Sequence, residues 1–454
     1  MHFRQFYVGC LAHASYLIGD AGEALVVDPS RDVQVYIDEA AQHGLSIRYV
    51  LETHLHADFV SGHRELAALT GATIAIGAHA QAQYPHHALR EGDEIRVGGV
   101  RIRAIETPGH TPESVTFLVY EHAADTQPWG ALTGDTLFVG DVGRVDILSS
   151  RLPVGDLAGS MYESLQKLMQ LPDATRVYPA HGAGSLCGRS ISNERSSTIG
   201  QERSTNAALL PGSREAFIAA ITKDVPETPA YYLYSRDLNR EGPALRAGRE
   251  VPPVLADGAV RAALAEGAVL LDTRAPADYE AAHPHGALFV SLDGQYASWV
   301  GTLVQPNDRL LLLTASERAE EAAMRLARVG YENIAGRLSV EPSSWQAAGL
   351  STAAMPAERA GSLPVGARRV LDVRRQHEFD AGHIDGAAHI PLAQLNARIG
   401  ELDRATHWLV FCAGGYRATI AASILERAGF PKVTLARGGM DAWTAAGMPV
   451  AEPA

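Results

Sequence analysis

Five fragments of the chain concentrate groups able to do chemistry. Thr53-His54-Leu55-His56-Ala57-Asp58 lies at the end of a predicted strand over residues 47–53. Thr107-Pro108-Gly109-His110 follows residues 102–105, Gly134-Asp135 follows residues 131–132, and Pro179-Ala180-His181-Gly182 follows residues 177–178, each a short apolar run. Imidazoles and carboxylates delivered by several strand ends can converge on one point, which is what a metal ion requires. Scattered surface or core histidines would not fall in this order four times. Cys187 comes six residues after His181, either close enough to exchange sulfur with a bound substrate or as an inert buried thiol; Cys10 reads as core. The fifth fragment, Cys412-Ala413-Gly414-Gly415-Tyr416-Arg417, sits between an apolar strand at residues 409–411 and a helical stretch at 418–428 that ends at Gly429. There, free backbone N–H groups and the positive helix end stabilise a thiolate. The two glycines let the backbone curl round the sulfur, and Arg417 adds positive charge. This is the setting of a cysteine nucleophile.

The elements that must position these groups are legible from apolar periodicity. Strands are predicted at residues 24–28, 47–53, 115–120, 130–132 and 176–179, helices at 33–43, 66–69 and 157–171, and a hairpin at 94–106 turning at Gly98-Gly99. Residues 190–206 read as a loop entering a helix. The pattern is α/β and layered. Pro226, Pro229, Pro243, Pro252 and Pro253 then mark a breaker-rich stretch where a domain boundary is expected. The second half repeats itself: LLDTRAPADYEAAHPHGALFVSL from Leu270 aligns with VLDVRRQHEFDAGHIDGAAHIPL from Val370 at an offset of 100. Trp345 and Trp443, each followed by x-Ala-Ala-Gly, close the two copies. A period of this length indicates duplicated domains rather than a solenoid. The first copy has Thr314 where the second has Cys412, with only three residues between Thr314 and Arg318, so it is expected to be catalytically silent, a spacer or docking domain with Trp299 or Tyr296 as contact residues. The expected domains are 1–245, 253–351 and 362–454, with a Pro/Ala/Gly-rich segment at 351–366 between the repeats.

Bulk properties agree. A chain of 454 residues has room for about three domains. Its 52 acidic against 39 basic residues give a net charge of −13, which argues against a nucleic-acid partner. No apolar run reaches membrane-spanning length, and the opening residues lack a signal-peptide stretch. Three scattered cysteines make no disulfide framework, so a cytoplasmic protein is expected.

The first four fragments resemble the metallo-β-lactamase superfamily, whose usual signature is H-x-H-x-D-H with downstream His, Asp and His; the resemblance covers residues 1–243. It implies an αββα sandwich. Phe59 departs from the signature, standing where a two-metal hydrolase has a further ligand histidine, and this favours a single metal. With that departure, THLHADFVSG, TPGHTPES, GDTLFVGDVGRVD and AHGAGSLCG look like the persulfide dioxygenases of the superfamily. The resemblance implies one Fe(II) per chain held by His54, His110 and Asp135, with His56, Asp58 and His181 lining the site. It also implies that Arg144 pairs with a substrate carboxylate such as that of glutathione. Two imidazoles and one carboxylate leave coordination positions open for substrate and dioxygen. The ligand types alone would equally accept zinc. Tyr231, Tyr232 and Tyr234 line the pocket or pack the core.

Residues 364–453 resemble rhodanese, the sulfurtransferase domain, through LDVRRQHEFDAGHIDGAAHIPL, the cysteine loop and GGMDAW. The resemblance implies that Cys412 is the catalytic nucleophile and that Gly414, Gly415, Tyr416 and Arg417 bind substrate. Four residues separate Cys412 from Arg417, a tighter loop than the C-x5-R of cysteine phosphatases, which favours sulfur transfer. Asp372 and Arg374 are expected to form a structural pair, and His383 to pack near the domain face. Together the two resemblances imply a dioxygenase that converts glutathione persulfide or coenzyme A persulfide to sulfite. It would be fused to a sulfurtransferase making or using thiosulfate, in sulfide detoxification. The implied partners are persulfide, dioxygen, and sulfite or thiosulfate, with no nucleic acid and no membrane; homo-oligomerisation is left open. The alternative is a glyoxalase-type thioester hydrolase with an appended rhodanese sulfur-binding module, against which Phe59 argues.

Overall fold

The structure is a computed structural model that describes residues 1–210, 212–223, 225, 227–246, 251–362 and 368–451. Pro226 of the breaker-rich stretch, and residues 363–367 and 452–454 of the last expected domain, lie outside the described residues. The chain forms two compact units, Met1–Gly248 with Ala327–Gly330, and Arg249–Leu326 with Tyr331–Ala454. Among the described residues no helix is long and apolar enough to cross a membrane.

The first unit holds two six-stranded sheets. One runs in chain order through His2–Val8, His13–Asp20, Glu23–Val27, Ser46–Glu52, Thr73–Gly77 and His87–Leu89. The other runs through Glu94–Val97, Val100–Glu106, Val115–Tyr120, Gly130–Gly134, Arg176–Pro179 and Ser197–Thr198. Side chains alternate across each strand. Tyr16, Ile18, Leu25, Val27 and Leu51 of the first sheet therefore meet Val97, Ile102, Phe117, Val119 and Leu132 of the second in a central core. The alternate residues Leu17, Val26 and Val50 face outward onto Tyr36, Ala40 and Leu66 of the helices Gln34–Gln42 and His63–Thr70. On the other side Leu118, Ala131 and Val177 pack on Met161, Leu165, Leu168 and Phe217 from the helices Val154–Leu168 and Arg214–Ile221. Helix, sheet, sheet, helix is the αββα sandwich expected. The strands Thr73–Gly77 and His87–Leu89 and the helix Arg214–Ile221 were not anticipated, and neither were two further features. The N-terminal hairpin His2–Asp20 supplies an edge and a partner strand, and the stretch read as a boundary contains the helix Tyr232–Glu241.

In the second unit the duplication is structural. Leu288–Phe289, Val269–Asp272, Leu310–Leu313 and Ile334–Leu338 form one parallel sheet. Ala388–His389, Arg369–Asp372, Trp408–Phe411 and Val433–Arg437 repeat that order in the other. Ala357–Arg359, within the stretch read as separating the repeats, adds a fifth strand beside Val433–Arg437. Matching residues make matching bonds. Arg274 and Arg374 each hold the Asp two residues earlier at 2.6 Å, Asp272 and Asp372 respectively, as expected of the second pair. His283 stacks on Tyr279 and His383 on Phe379, both with ring centroids 3.8 Å apart. The buried Trp345 and Trp443 each donate the indole N–H to a carbonyl, that of Ser339 and of Pro449.

Candidate metal centre and cysteine loop

The metal-type side chains arrive where the strands of the first unit end. Ser46–Glu52 hands over to Thr53-His54, Val100–Glu106 to the turn carrying His110, Gly130–Gly134 to Asp135, and Arg176–Pro179 to His181. All four are buried. Ligand atoms of His54, His110 and Asp135 lie within 4.8 Å of one another, as do those of His56, Asp58 and His181. The structure thus brings together all six residues singled out in the sequence. His110 Nε2 is 3.4 Å and His54 Nε2 3.9 Å from Asp135 Oδ2.

Hydrogen bonds at the far ring nitrogens set which nitrogen faces the centre. Thr53 Oγ1 gives its only proton to Asp28 Oδ2 at 2.8 Å, so it accepts the proton of His54 Nδ1 at 2.9 Å. His110 Nδ1 lies 2.7 Å from the Arg144 carbonyl and His181 Nδ1 3.2 Å from that of Ala12. A carbonyl only accepts, so both rings carry the proton on Nδ1 and present Nε2 to the centre. Burial, with His56 and His110 nearby, holds the His54 imidazole well below its usual pKa. Burial opposes charge on His181 as well, but the Asp135 and Asp58 carboxylates outweigh it and raise its pKa well above the usual value. The inward atoms His54 Nε2, both Asp135 oxygens, Asp58 Oδ1 and His181 Nε2 have no hydrogen-bond partner in the protein. Leaving such atoms buried and unpaired costs about 1–3 kcal/mol each. Imidazoles and carboxylates converging this way fit a bound metal ion.

Residues beyond the motif shape the centre. His56 Nε2 lies 3.1 Å from Asp28 Oδ1, and Asp28 itself adopts a left-handed φ of 51°. Phe59 is fully buried, its ring 4.3 Å from that of His56 and 4.0 Å from that of His13. Asn239, on the helix Tyr232–Glu241, donates to the carbonyls of His56 and Phe59, both at 2.8 Å, and so fixes this turn. His13, Asp28 and Asn239 were not singled out by sequence. The signal for Asp28 was present, a carboxylate closing a buried strand before proline; His13 and Asn239 arrive from segments whose local pattern carries no motif.

Cys187 is buried, with its sulfur within 4.8 Å of ligand atoms of Asp135 and His181. Burial, Asp58 and Asp135 push its thiol up to about 12. Arg144, expected near the metal to pair with a substrate carboxylate, lies beside the centre with its guanidinium on a carboxylate of the chain. Its guanidinium grips Asp146 at 2.8 and 2.5 Å and also reaches Thr228 Oγ1 at 2.8 Å, while its carbonyl orients His110. Tyr231 and Tyr232 are buried against each other, and burial, with the Cys187 sulfur next in effect, raises the Tyr232 phenol well above its usual pKa.

In the second unit Cys412 follows the buried strand Trp408–Phe411, and the helix Tyr416–Arg427 starts four residues on. The Gly415 N–H donates to Cys412 Sγ at 3.0 Å, with Gly415 at φ 115°. Gly414 has no such requirement, since a Cβ there would meet only Asp441 Oδ2 at 3.6 Å. Burial raises the thiol pKa, against the N–H groups of Ala418 and Gly415 and the charge of Arg417, which pull it down. The thiolate expected from the helix end is therefore opposed by desolvation. Arg417 is held by both oxygens of Glu378 at 2.6 and 2.7 Å, a partner the sequence did not reveal. A cavity of about 700 Å³ opens beside the sulfur. In the other repeat Thr314 is buried at the position of Cys412, and Arg318 pairs with Asp293 and Glu321.

The model of the metallo-beta-lactamase superfamily matches residues 8–181, and that of the rhodanese-like domain matches residues 357–446. The chain belongs to the metallo-beta-lactamase superfamily and carries a rhodanese-like domain toward its C-terminal end. Within the superfamily it is 30% identical over 248 residues to the mitochondrial persulfide dioxygenase ETHE1 of Bos taurus, covering 53% of this chain and 85% of that one. It is 32% identical over 217 residues to the hydroxyacylglutathione hydrolase of Methylobacillus flagellatus, covering 47% and 76%. The crystal structure of a metallo-beta-lactamase from Staphylococcus aureus superposes with a TM-score of 0.68 at 32% identity, covering 75% of this chain and 99% of that one.

Proposed function

We propose that the first unit is a mononuclear Fe(II) persulfide dioxygenase and the C-terminal domain a cysteine-dependent sulfurtransferase. The observation that carries this reading is the grouping of His54, His110 and Asp135 with a buried phenylalanine, Phe59, where a second metal would need an imidazole. His54, His110 and Asp135 would hold the iron, which when bound brings substrate sulfur and dioxygen together and exchanges electrons with them. The chain's own residues prepare that event. Thr53 and the Arg144 carbonyl keep the two imidazoles aimed through Nε2. The Asp58 and His181 pair, 3.3 Å apart, places a proton-carrying group beside the reacting position. Cys187 sets a thiol there, available to exchange sulfur with a bound persulfide. Relatives named persulfide dioxygenase support the substrate class.

At the second centre the Cys412 thiolate would attack the outer sulfur of a persulfide or of thiosulfate. The donor's S–S bond breaks, a thiolate or sulfite leaves, and the sulfur stays on Cys412 until an acceptor takes it. Sulfite released by the first centre would serve as that acceptor and leave as thiosulfate, and joining both centres in one chain raises its local concentration. The test is iron content together with oxygen uptake on glutathione persulfide. His110→Ala is expected to abolish both and to leave thiosulfate:cyanide sulfur transfer within about twofold; loss of both activities in a folded variant would overturn the division of labour. A metal-dependent thioester hydrolase is the second reading, favoured by the grouping of His56, Asp58 and His181 and by the hydroxyacylglutathione hydrolase relative. Two metals per chain, with no oxygen uptake, would establish it instead.

A further inference from the structure

A second set of metal-type side chains lies in the first unit, away from the centre described above. His2, Glu39 and His43 each offer a ligand atom within 4.8 Å of the other two. His2 Nε2 is 3.0 Å and His43 Nε2 3.2 Å from the same oxygen, Glu39 Oε1. The two imidazole rings have centroids 4.0 Å apart and planes tilted by 32°. The strand His2–Val8 pairs antiparallel with His13–Asp20, so that Val8 stands opposite His13 and His2 opposite Gly19. It is His13, at the Val8 end, whose ring neighbours those of His56 and His181. At about 3.4 Å per residue, His2 lies about 20 Å along the strand from that end.

Packing of the strand on the helix builds this group. Alternate strand residues share a face, so His2 and Phe6 point the same way. Phe6 packs on Tyr36 with ring centroids 4.9 Å apart. Tyr36, Glu39 and His43 follow at helical spacing, on one face of the helix Gln34–Gln42 and its C-terminal cap. The buried Tyr36 is fixed in turn by the Ser15 hydroxyl at 2.7 Å and the Ser30 N–H at 2.8 Å. Strand and helix are thereby held at the separation that brings the three donors together. His2 and His43 are partly exposed, so an ion reaches them directly from solvent. Two imidazoles and one carboxylate suit zinc, copper(II) or nickel(II), whereas calcium and magnesium take oxygen ligands. A tetrahedral ion with bonds of about 2.0–2.1 Å needs its ligand atoms about 3.3 Å apart. The separations of 3.0 and 3.2 Å from Glu39 Oε1 lie close to that requirement.

We propose that His2, Glu39 and His43 form a second metal site, for a borderline divalent cation such as zinc, which clamps the strand His2–Val8 to the helix Gln34–Gln42. The ion takes the place of the proton between each Nε2 and the carboxylate, and water completes its coordination. The clamp acts where the sheet most needs it. His2–Val8 is an edge strand, hydrogen-bonded on one side only, and His2 is its first residue.

Zinc chloride titrated by calorimetry into the full chain under anaerobic conditions tests the site, with zinc counted over the metal already held by the first centre. One additional zinc per chain is expected, bound in the micromolar range, with the metal of the first centre retained. His2→Ala, Glu39→Gln and His43→Ala should each weaken it about tenfold or more. His79→Ala, which removes an exposed histidine outside the group, should leave it within about twofold. Zinc at a hundredfold excess over Kd should raise the thermal transition of the N-terminal unit by about 5 °C in wild type. The same addition should leave His43→Ala unshifted. His43 is exposed at a helix end, so its removal spares the core, and retention of the first-centre metal reports that the variant is folded. No zinc beyond the first centre, zinc gained only as that centre's metal is lost, or equal binding by wild type and all three variants would overturn the proposal.

Discussion

Folding commits the charge state of Glu378 at the cysteine centre. Burial alone would raise its carboxyl, but the paired Arg417 guanidinium and the Arg375 backbone N–H bring it down to about 2, from an ordinary 4.5. A carboxyl depressed on folding contributes stability above its unfolded pKa, and that contribution is lost as pH falls toward the folded value. Glu378→Gln should therefore lower the melting temperature of the second unit at pH 7, with the gap from wild type closing between about pH 4.5 and about pH 2. Calorimetry across that range checks it; a gap independent of pH would show that the pair acts through packing alone. The residue scale is also where sequence reading was strongest at the metal centre and weakest around it. His54, His110, Asp135, His56, Asp58 and His181 stand in short motifs at strand ends, and the structure gathers them all. Glu378 and Asn239 were invisible because each acts on a residue far away in the chain, 39 positions in the first case and 183 in the second.

Elements explain what the local patterns could and could not disclose. The short apolar run Val115–Tyr120 and the Gly98-Gly99 turn of the hairpin Glu94–Glu106 disclosed these strands, each of which has one face in the central core. The helix Tyr232–Glu241 was hidden by its proline-rich flanks, which read as a boundary although the segment between them reaches back to fix the His56 turn. At the cysteine loop the tightest element-level fit lies downstream. Gly439 opens the helix Gly439–Ala445 at φ 53°, and a Cβ on it would lie 2.2 Å from the carbonyl oxygens of both Cys412 and Ala413. Gly439→Ala must therefore push the loop out of shape, at a cost of about 2–4 kcal/mol. The expected outcome is lost thiosulfate:cyanide sulfur transfer with unchanged iron content and oxygen uptake. Denaturant titration, followed by the two activity assays, distinguishes local damage from global unfolding.

On the scale of the whole molecule, each unit is built on its own apolar clusters, Tyr16 to Leu132 and its outer layers in the first, Val260 to Ala348 and Ala360 to Trp443 in the second. A metal bound within one unit stabilises that unit by mass action and leaves the other unaided. Chelation should accordingly lower one thermal transition, that of the N-terminal unit, and leave the transition containing Cys412 in place; scanning calorimetry with and without chelator reads this directly. Chelation should also be undone easily. With Nδ1 of His54, His110 and His181 each tied to a neighbouring oxygen, the three rings have nowhere to swing once an ion departs. Stripped protein would then recapture a divalent cation without any ring flip or refolding, at a pace set by the ion's entry into the cleft.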